Sequence, residues 1–324
     1  MNCIPDAPEI LRRLPWITAN CLHIVLSFAT ILLSIKFVSK LRKSGLLNAS
    51  TVMLMLLFTA FANVHAVVLI VIQVYGIINS AIHTDACSLS MKTSNCAIFN
   101  FTLLSCVVGM TICQNALWID RLAATIRHKL HHQHAKCFGG SLCALVISLA
   151  VLVPLFILYD DPYDDVVLTC LFIPAGSSVE VNRLFNAFLI LNLVAVTANI
   201  ILYLVNRRRQ KTLRFNVTKR YRSFENILIS KWVGMVVSVQ FIFLMTYSLA
   251  MFLIRTKSQN MHEVTKQVLR IWFYVVPFST VALPLISILA FRIFRKHRAA
   301  AITRMTSMKA DDNTYMKHLM KMWS

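Results

Sequence analysis

Seven predominantly apolar runs, parted by short polar or charged segments, organise this 324-residue chain. The third run is the clearest. From Cys96 to Ile119 it carries no charge, and at 1.5 Å rise per residue a helix of that length measures roughly 36 Å, enough to cross a hydrocarbon core of about 30 Å. Residues 16–38, 51–79, 138–159, 184–204, 232–254 and 270–291 supply six more runs of spanning length. The first exceeds a signal-peptide core and has no clear small-x-small site after it, so it is expected to stay as a span. The second is longer than the membrane is thick and should tilt or project. Pro277 and Pro284 lie on nearly the same face of the seventh and predict bends there. Residues 206–231 are too charged for hydrocarbon and belong in water or at the headgroups.

Composition agrees with the pattern. Hydrophobic residues make up 57% of the chain and charged ones 14%, with a mean hydropathy of +0.66, outside the range of soluble domains. The expected fold is an all-α membrane protein, a seven-transmembrane helix bundle in residues 16–291. The formal net charge of +20 would point to nucleic acid in a soluble protein; here it follows the topology, and no nucleic-acid partner is expected. Of the lysines and arginines, 25 fall on the side of the C-terminus and 8 on the other. By the positive-inside rule the N-terminus, residues 1–15, is extracellular and the tail, residues 292–324, is cytoplasmic. The last outer loop dissents mildly, with Arg255, Lys257, Lys266 and Arg270. The tail opens as a basic amphipathic segment suited to the membrane surface.

Candidate chemistry is sparse. Cys3, Cys87, Cys96 and Cys170 fall on the extracellular side, where disulfides persist. Four cysteines allow three pairings. The one that ties the end of the third span to the loop folding over it, Cys96 with Cys170, is favoured, which leaves Cys3 and Cys87 as a candidate second bridge. His128, His131, His132 and His134 cluster after the third span, but no cysteine or carboxylate completes a ligand set, so no metal is expected. His65, near Asn63 in the second span, should face the bundle interior. The sequons at Asn48 and Asn216 fall on the cytoplasmic side and that at Asn100 within the membrane, so none suits a glycan. No HExxH, GxSxG or GxxxxGK[ST] occurs, so neither an enzyme nor a cofactor is expected. The alternative function, a polytopic transporter or ligand-gated channel, needs ionisable groups or broken helices at the midplane, and the runs hold almost no such groups.

Two stretches carry a resemblance. Cys96 and Arg121 stand twenty-five positions apart, the separation that rhodopsin-like G-protein-coupled receptors keep between the disulfide cysteine and the arginine of the third span. Other rhodopsin-like details are missing: the seventh span reads ALPLISILAF without NPxxY, the sixth has no CWxP and the second no aspartate. WIDRLAAT, Trp118 to Thr125, and KRYRSFENILISK, Lys219 to Lys231, resemble segments of nematode chemoreceptors of the serpentine receptor class alpha superfamily. That resemblance implies a multi-pass plasma-membrane receptor of a sensory neuron or its cilium. It further implies binding of a small environmental molecule and signalling through a heterotrimeric G protein. Small-molecule pockets form between helices, so a ligand is expected between the outer halves of spans three, five, six and seven, against Leu103, Val107, Tyr247, Met251, Tyr274 and Phe278. Arg121, with Asp120, is expected to be the coupling switch at the inner end of span three. A guanidinium there can pair with Asp120, or across the bundle with Glu225, and be released to a partner when the spans part.

Overall fold

Every long apolar run becomes a helix, because in hydrocarbon the backbone N–H and C=O groups must be satisfied within their own segment. A computed structural model of the chain describes residues 3–44, 47–126, 128–174, 176–212, 217–257 and 261–307. Its elements, in chain order, are α1 (Ala7–Arg12), α2 (Leu14–Ser44), α3 (Ala49–Ile82), α4 (Ala86–Leu89), β1 (Met91–Lys92), α5 (Thr93–Ile126), α6 (His128–Leu158), β2 (Val166–Val167), α7 (Ser178–Thr212), α8 (Val217–Lys257), α9 (Glu263–Trp272) and α10 (Val276–Ser307). Seven stretches are long and apolar enough to cross a membrane: α2, α3, α5, α6, α7, α8 and the α9–α10 pair.

Span α5 is the most enclosed of the seven and packs against α3, α6, α7 and α8. It is therefore the helix through which the others meet. Large apolar side chains such as Leu32, Val151, Phe156, Ile201 and Phe252 stay exposed on the outer helix faces, where lipid would cover them. Glycine sets two close approaches. A Cβ on Gly109 would stand 2.6 Å from the ring of Phe61, and one on Gly139 would stand 2.6 Å from Cα of Ser50. The second of these brings α6 directly against the start of α3.

The seventh span departs from its expected shape. It is interrupted at residues 273–275, between α9 and α10, and not at the two prolines. Pro277 stands at the start of α10, where its missing N–H leaves no hydrogen bond unmade, and Pro284 lies within the helix. At the same end of the bundle, α1 folds back onto the helices, with Ala7, Ile10 and Leu11 buried beside Trp16, Leu89, Val264 and Ile271. Strands β1 and β2 pair antiparallel, Met91 with Val167 and Lys92 with Val166. This two-rung ladder, between strands that α5 and α6 separate in the chain, is the one addition to the all-α expectation among the described residues. It lays the loop after α6 across the mouth of the bundle.

Candidate functional site

Two pairs of cysteines hold the loops at the end of the bundle that carries α1. Cys96, in the first turn of α5, and Cys170, just beyond β2, have Cα atoms 4.9 Å apart and sulfurs 1.97 Å apart. Cys3 and Cys87 are likewise bonded, with Cα atoms 4.9 Å apart. Both separations fall in the range a disulfide requires. The first bond fixes the loop after β2 to α5, and the second fixes the chain before α1 to α4.

Beneath these loops lies a cavity of about 460 Å³, bounded by α5, α7, α8, the α9–α10 junction and the β2 loop. That volume falls within the range of small-molecule sites, roughly 300–1,000 Å³. Leu103, Val107, Tyr247, Met251 and Tyr274 all line it. The structure brings these five expected residues together and leaves the sixth apart: Phe278 is not on the wall but stacks against Phe243, ring centroids 6.3 Å apart. Tyr274, at the interruption of the seventh span, exchanges a 2.8 Å hydrogen bond with Nε2 of His65 on α3. His65 is thus an interhelical hydrogen-bonder facing inward. Sequence reasoning missed Asn100, Gln267, Arg270 and the β2 loop residues Val167 and Leu171, all of which also line the cavity. For Asn100 a signal existed, because Asn100, Leu103 and Val107 follow the i, i+3, i+7 rhythm of one helix face.

At the other end of α5, Asp120 and Arg121 are both fully buried inside the protein. Asp120 accepts hydrogen bonds through Oδ1 from Ser50 Oγ at 2.7 Å and through Oδ2 from Thr51 Oγ1 at 2.9 Å. Arg121 donates to Asp120 Oδ2 from NH2 at 2.5 Å and from Nε at 3.2 Å, and from NH2 also to Thr51 Oγ1. Its NH1 reaches Asn226 Oδ1 on α8 at 3.5 Å. So the contact from α5 to the base of α8 exists, made to the residue after Glu225; the side chain of Glu225 itself lies outside the described residues. Burying a charge is expensive unless it is paired and hydrogen-bonded, and this cluster meets both conditions. One turn on, Thr125 Oγ1 accepts from Asn206 Nδ2 and Thr125 O accepts from Arg209 NH1, tying α7 to the same end of α5. The side chains of His128, His131 and His132 are outside the description, and no group of metal ligands occurs among the described residues.

Known proteins place the chain. Over 327 aligned residues it is 28% identical to serpentine receptor class alpha-10 of Caenorhabditis elegans, covering 100% of this chain and 97% of that one. The alpha-10 receptor of Caenorhabditis briggsae is 28% identical over 91% of this chain and 89% of its own. Serpentine receptor class alpha-9 of Caenorhabditis elegans is 28% identical over 94% and 92%. The model of the family described as "Serpentine type 7TM GPCR chemoreceptor Sra" matches residues 7–323. With a bundle of seven apolar helices and a match over almost its full length, the chain belongs to the Sra family of serpentine seven-transmembrane chemoreceptors.

Proposed function

We propose that this chemoreceptor binds a small molecule in the cavity beneath its disulfide-bonded loops and passes the event to a heterotrimeric G protein at the opposite end. The observation that carries this reading is one helix with two jobs. Leu103 and Val107 of α5 line the cavity, and Arg121, roughly 27 Å further along the same helix at 1.5 Å per residue, is the centre of the buried cluster with Asp120, Thr51 and Asn226. A rigid element that both ends of the bundle contact is the kind of part a two-state switch needs. In the resting arrangement Arg121 is enclosed. Separation of α8 from α5 frees NH1 from Asn226 and exposes the guanidinium to a partner's backbone carbonyls. The disulfide end faces outward, following the charge asymmetry, and the chain sits in the plasma membrane of a sensory neuron or its cilium.

The test is a screen of small neutral compounds on cells expressing the chain, read by intracellular calcium through a coupled G protein. An agonist whose potency falls with Tyr247→Ala or Tyr274→Ala supports the reading. Ligand-dependent current in a bilayer containing only this protein would overturn it in favour of a channel. If both tyrosine variants reach the surface with unchanged agonist potency, the cavity is not the binding site.

A further inference from the structure

Asn100 is the polar side chain that the cavity leaves most completely unsatisfied. It lines the cavity, is 3% exposed, and neither its Nδ2 nor its Oδ1 has a hydrogen-bond partner in the protein. An amide buried in this way keeps its desolvation penalty uncompensated, a cost that a bound group with matching hydrogen-bonding atoms would remove. Leu103 and Leu104, one turn along α5, and Val107, two turns along, continue the same wall. The amide therefore stands at one end of an apolar stripe. Asn100 also opens the sequon Asn-Phe-Thr, and its burial within α5 excludes a glycan there. The motif marks a cavity group instead.

Three further observations narrow what could bind. A primary amide side chain presents two donors on one atom and an acceptor on the other, so its natural complement is a group with an acceptor and a donor side by side. Gln267, on α9, lines the same cavity, and its Nε2 is held by Glu263 Oε1 at 2.7 Å while its own Oε1 has no partner. It can accept one more hydrogen bond. Finally, among the described residues the charged ones on the wall are one of each sign, Asp165 and Arg270, so together they favour neither an anion nor a cation.

We propose that Asn100 anchors a neutral ligand carrying a donor and an acceptor on one carbon, as in a primary carboxamide or a lactam, whose apolar remainder lies along Leu103 and Val107. This rests on the reading of the cavity as the ligand site and adds the chemical class it takes. A ligand that keeps the acceptor but lacks the donor leaves Asn100 Oδ1 unsatisfied. Discrimination by a site built to hydrogen-bond its ligand is stronger than discrimination by apolar shape.

The experiment uses the full chain, purified into nanodiscs, and a probe series of straight-chain primary carboxamides of about five to ten carbons with their N,N-dimethyl counterparts. Primary amides are expected to bind at least about tenfold more tightly than the dimethyl forms, the worth of one or two hydrogen bonds. Asn100→Leu should abolish that preference and Asn100→Gln should keep part of it. Equal affinity for the two forms in the unaltered receptor, or no binding by any amide in the series, overturns the proposal without recourse to a variant. Binding is read here without a G protein. A receptor that shows the preference but evokes no cellular signal refutes the signalling role and leaves the anchor standing. Agonists that lack any donor–acceptor pair and are equally potent on Asn100→Leu refute the anchor and leave the receptor role intact.

Discussion

Gly139→Ala should destabilise the end of the bundle opposite the disulfides through a single contact. A Cβ added there meets Cα of Ser50 at 2.6 Å and the Cβ and Oγ of Ser50 at 3.0 Å. Carbon atoms pack best at about 3.5–4.0 Å, so α6 and α3 must part by about 1 Å, and the obstructing atom is backbone, which cannot swing aside. Ser50 Oγ donates to Asp120 Oδ1 at 2.7 Å. A displacement of about 1 Å is enough to carry that bond out of hydrogen-bond range. Overpacking of this kind costs about 1–3 kcal/mol and a lost hydrogen bond to a charged group about 1.5–3, against a gain of about 1 for alanine over glycine in a helix. The net loss is roughly 1.5–5 kcal/mol by these terms. The neighbouring substitution is the internal control. Gly140→Ala places its Cβ 3.9 Å from Met53 Cε and near nothing else, so only the helix gain of about 0.5–1 kcal/mol remains. Thermal unfolding of both variants in identical nanodiscs should place Gly139→Ala well below the unaltered receptor and Gly140→Ala at or above it. If the two variants shift together, the close approach is not what holds α6 against α3.

Arg121→Lys should reach the surface yet lower G-protein activation by about tenfold or more, because a single ammonium cannot span Asp120, Thr51 and Asn226 as the planar guanidinium does; dose–response curves normalised to surface expression check this, and wild-type coupling would remove the switch. Tyr274→Phe takes away the partner of His65 Nε2, and because His65 Nδ1 already has no partner in the protein, the midplane of the bundle should lose about 1–3 kcal/mol, visible as a lower unfolding temperature. Peptide mapping without reduction should recover Cys96 joined to Cys170 and Cys3 joined to Cys87; a free thiol at any of these four positions in the folded receptor contradicts the loop arrangement.

The spans were legible because a membrane helix must be apolar for some twenty residues, a signal that needs no partner to be read. Part of the expected cavity wall was legible from position alone: five of six residues chosen in the outer halves of three spans line one cavity. What escaped was whatever depends on residues distant in the chain. Asp120 and Arg121 look like a headgroup pair at a span end, and their burial follows only from Ser50 and Thr51, about seventy positions earlier. The contact across to the base of α8 at Asn226 was likewise unreadable, because which side chain of that helix turns toward α5 depends on how the two helices pack. Helix α1 is six residues long and hides in a polar segment with Pro8; Ala7, Ile10 and Leu11, docked on distant helices, and the Cys3–Cys87 bond just before it hold it in place. The β1–β2 pair has two rungs, too few for any alternation to register.

The buried cluster at the end of α5 far from the disulfides also bears on how receptors of this kind can diverge. Ser50, Thr51, Asp120, Arg121 and Asn226 share their donors and acceptors, so replacing any one orphans a group on another that is itself buried. Neutral drift is therefore blocked one residue at a time, whereas outward-facing positions such as Leu32 or Phe156 are constrained only to remain apolar. Among paralogues that retain the fold, these five positions should change as a set or not at all, and a lineage that has lost the acid should have lost the arginine with it.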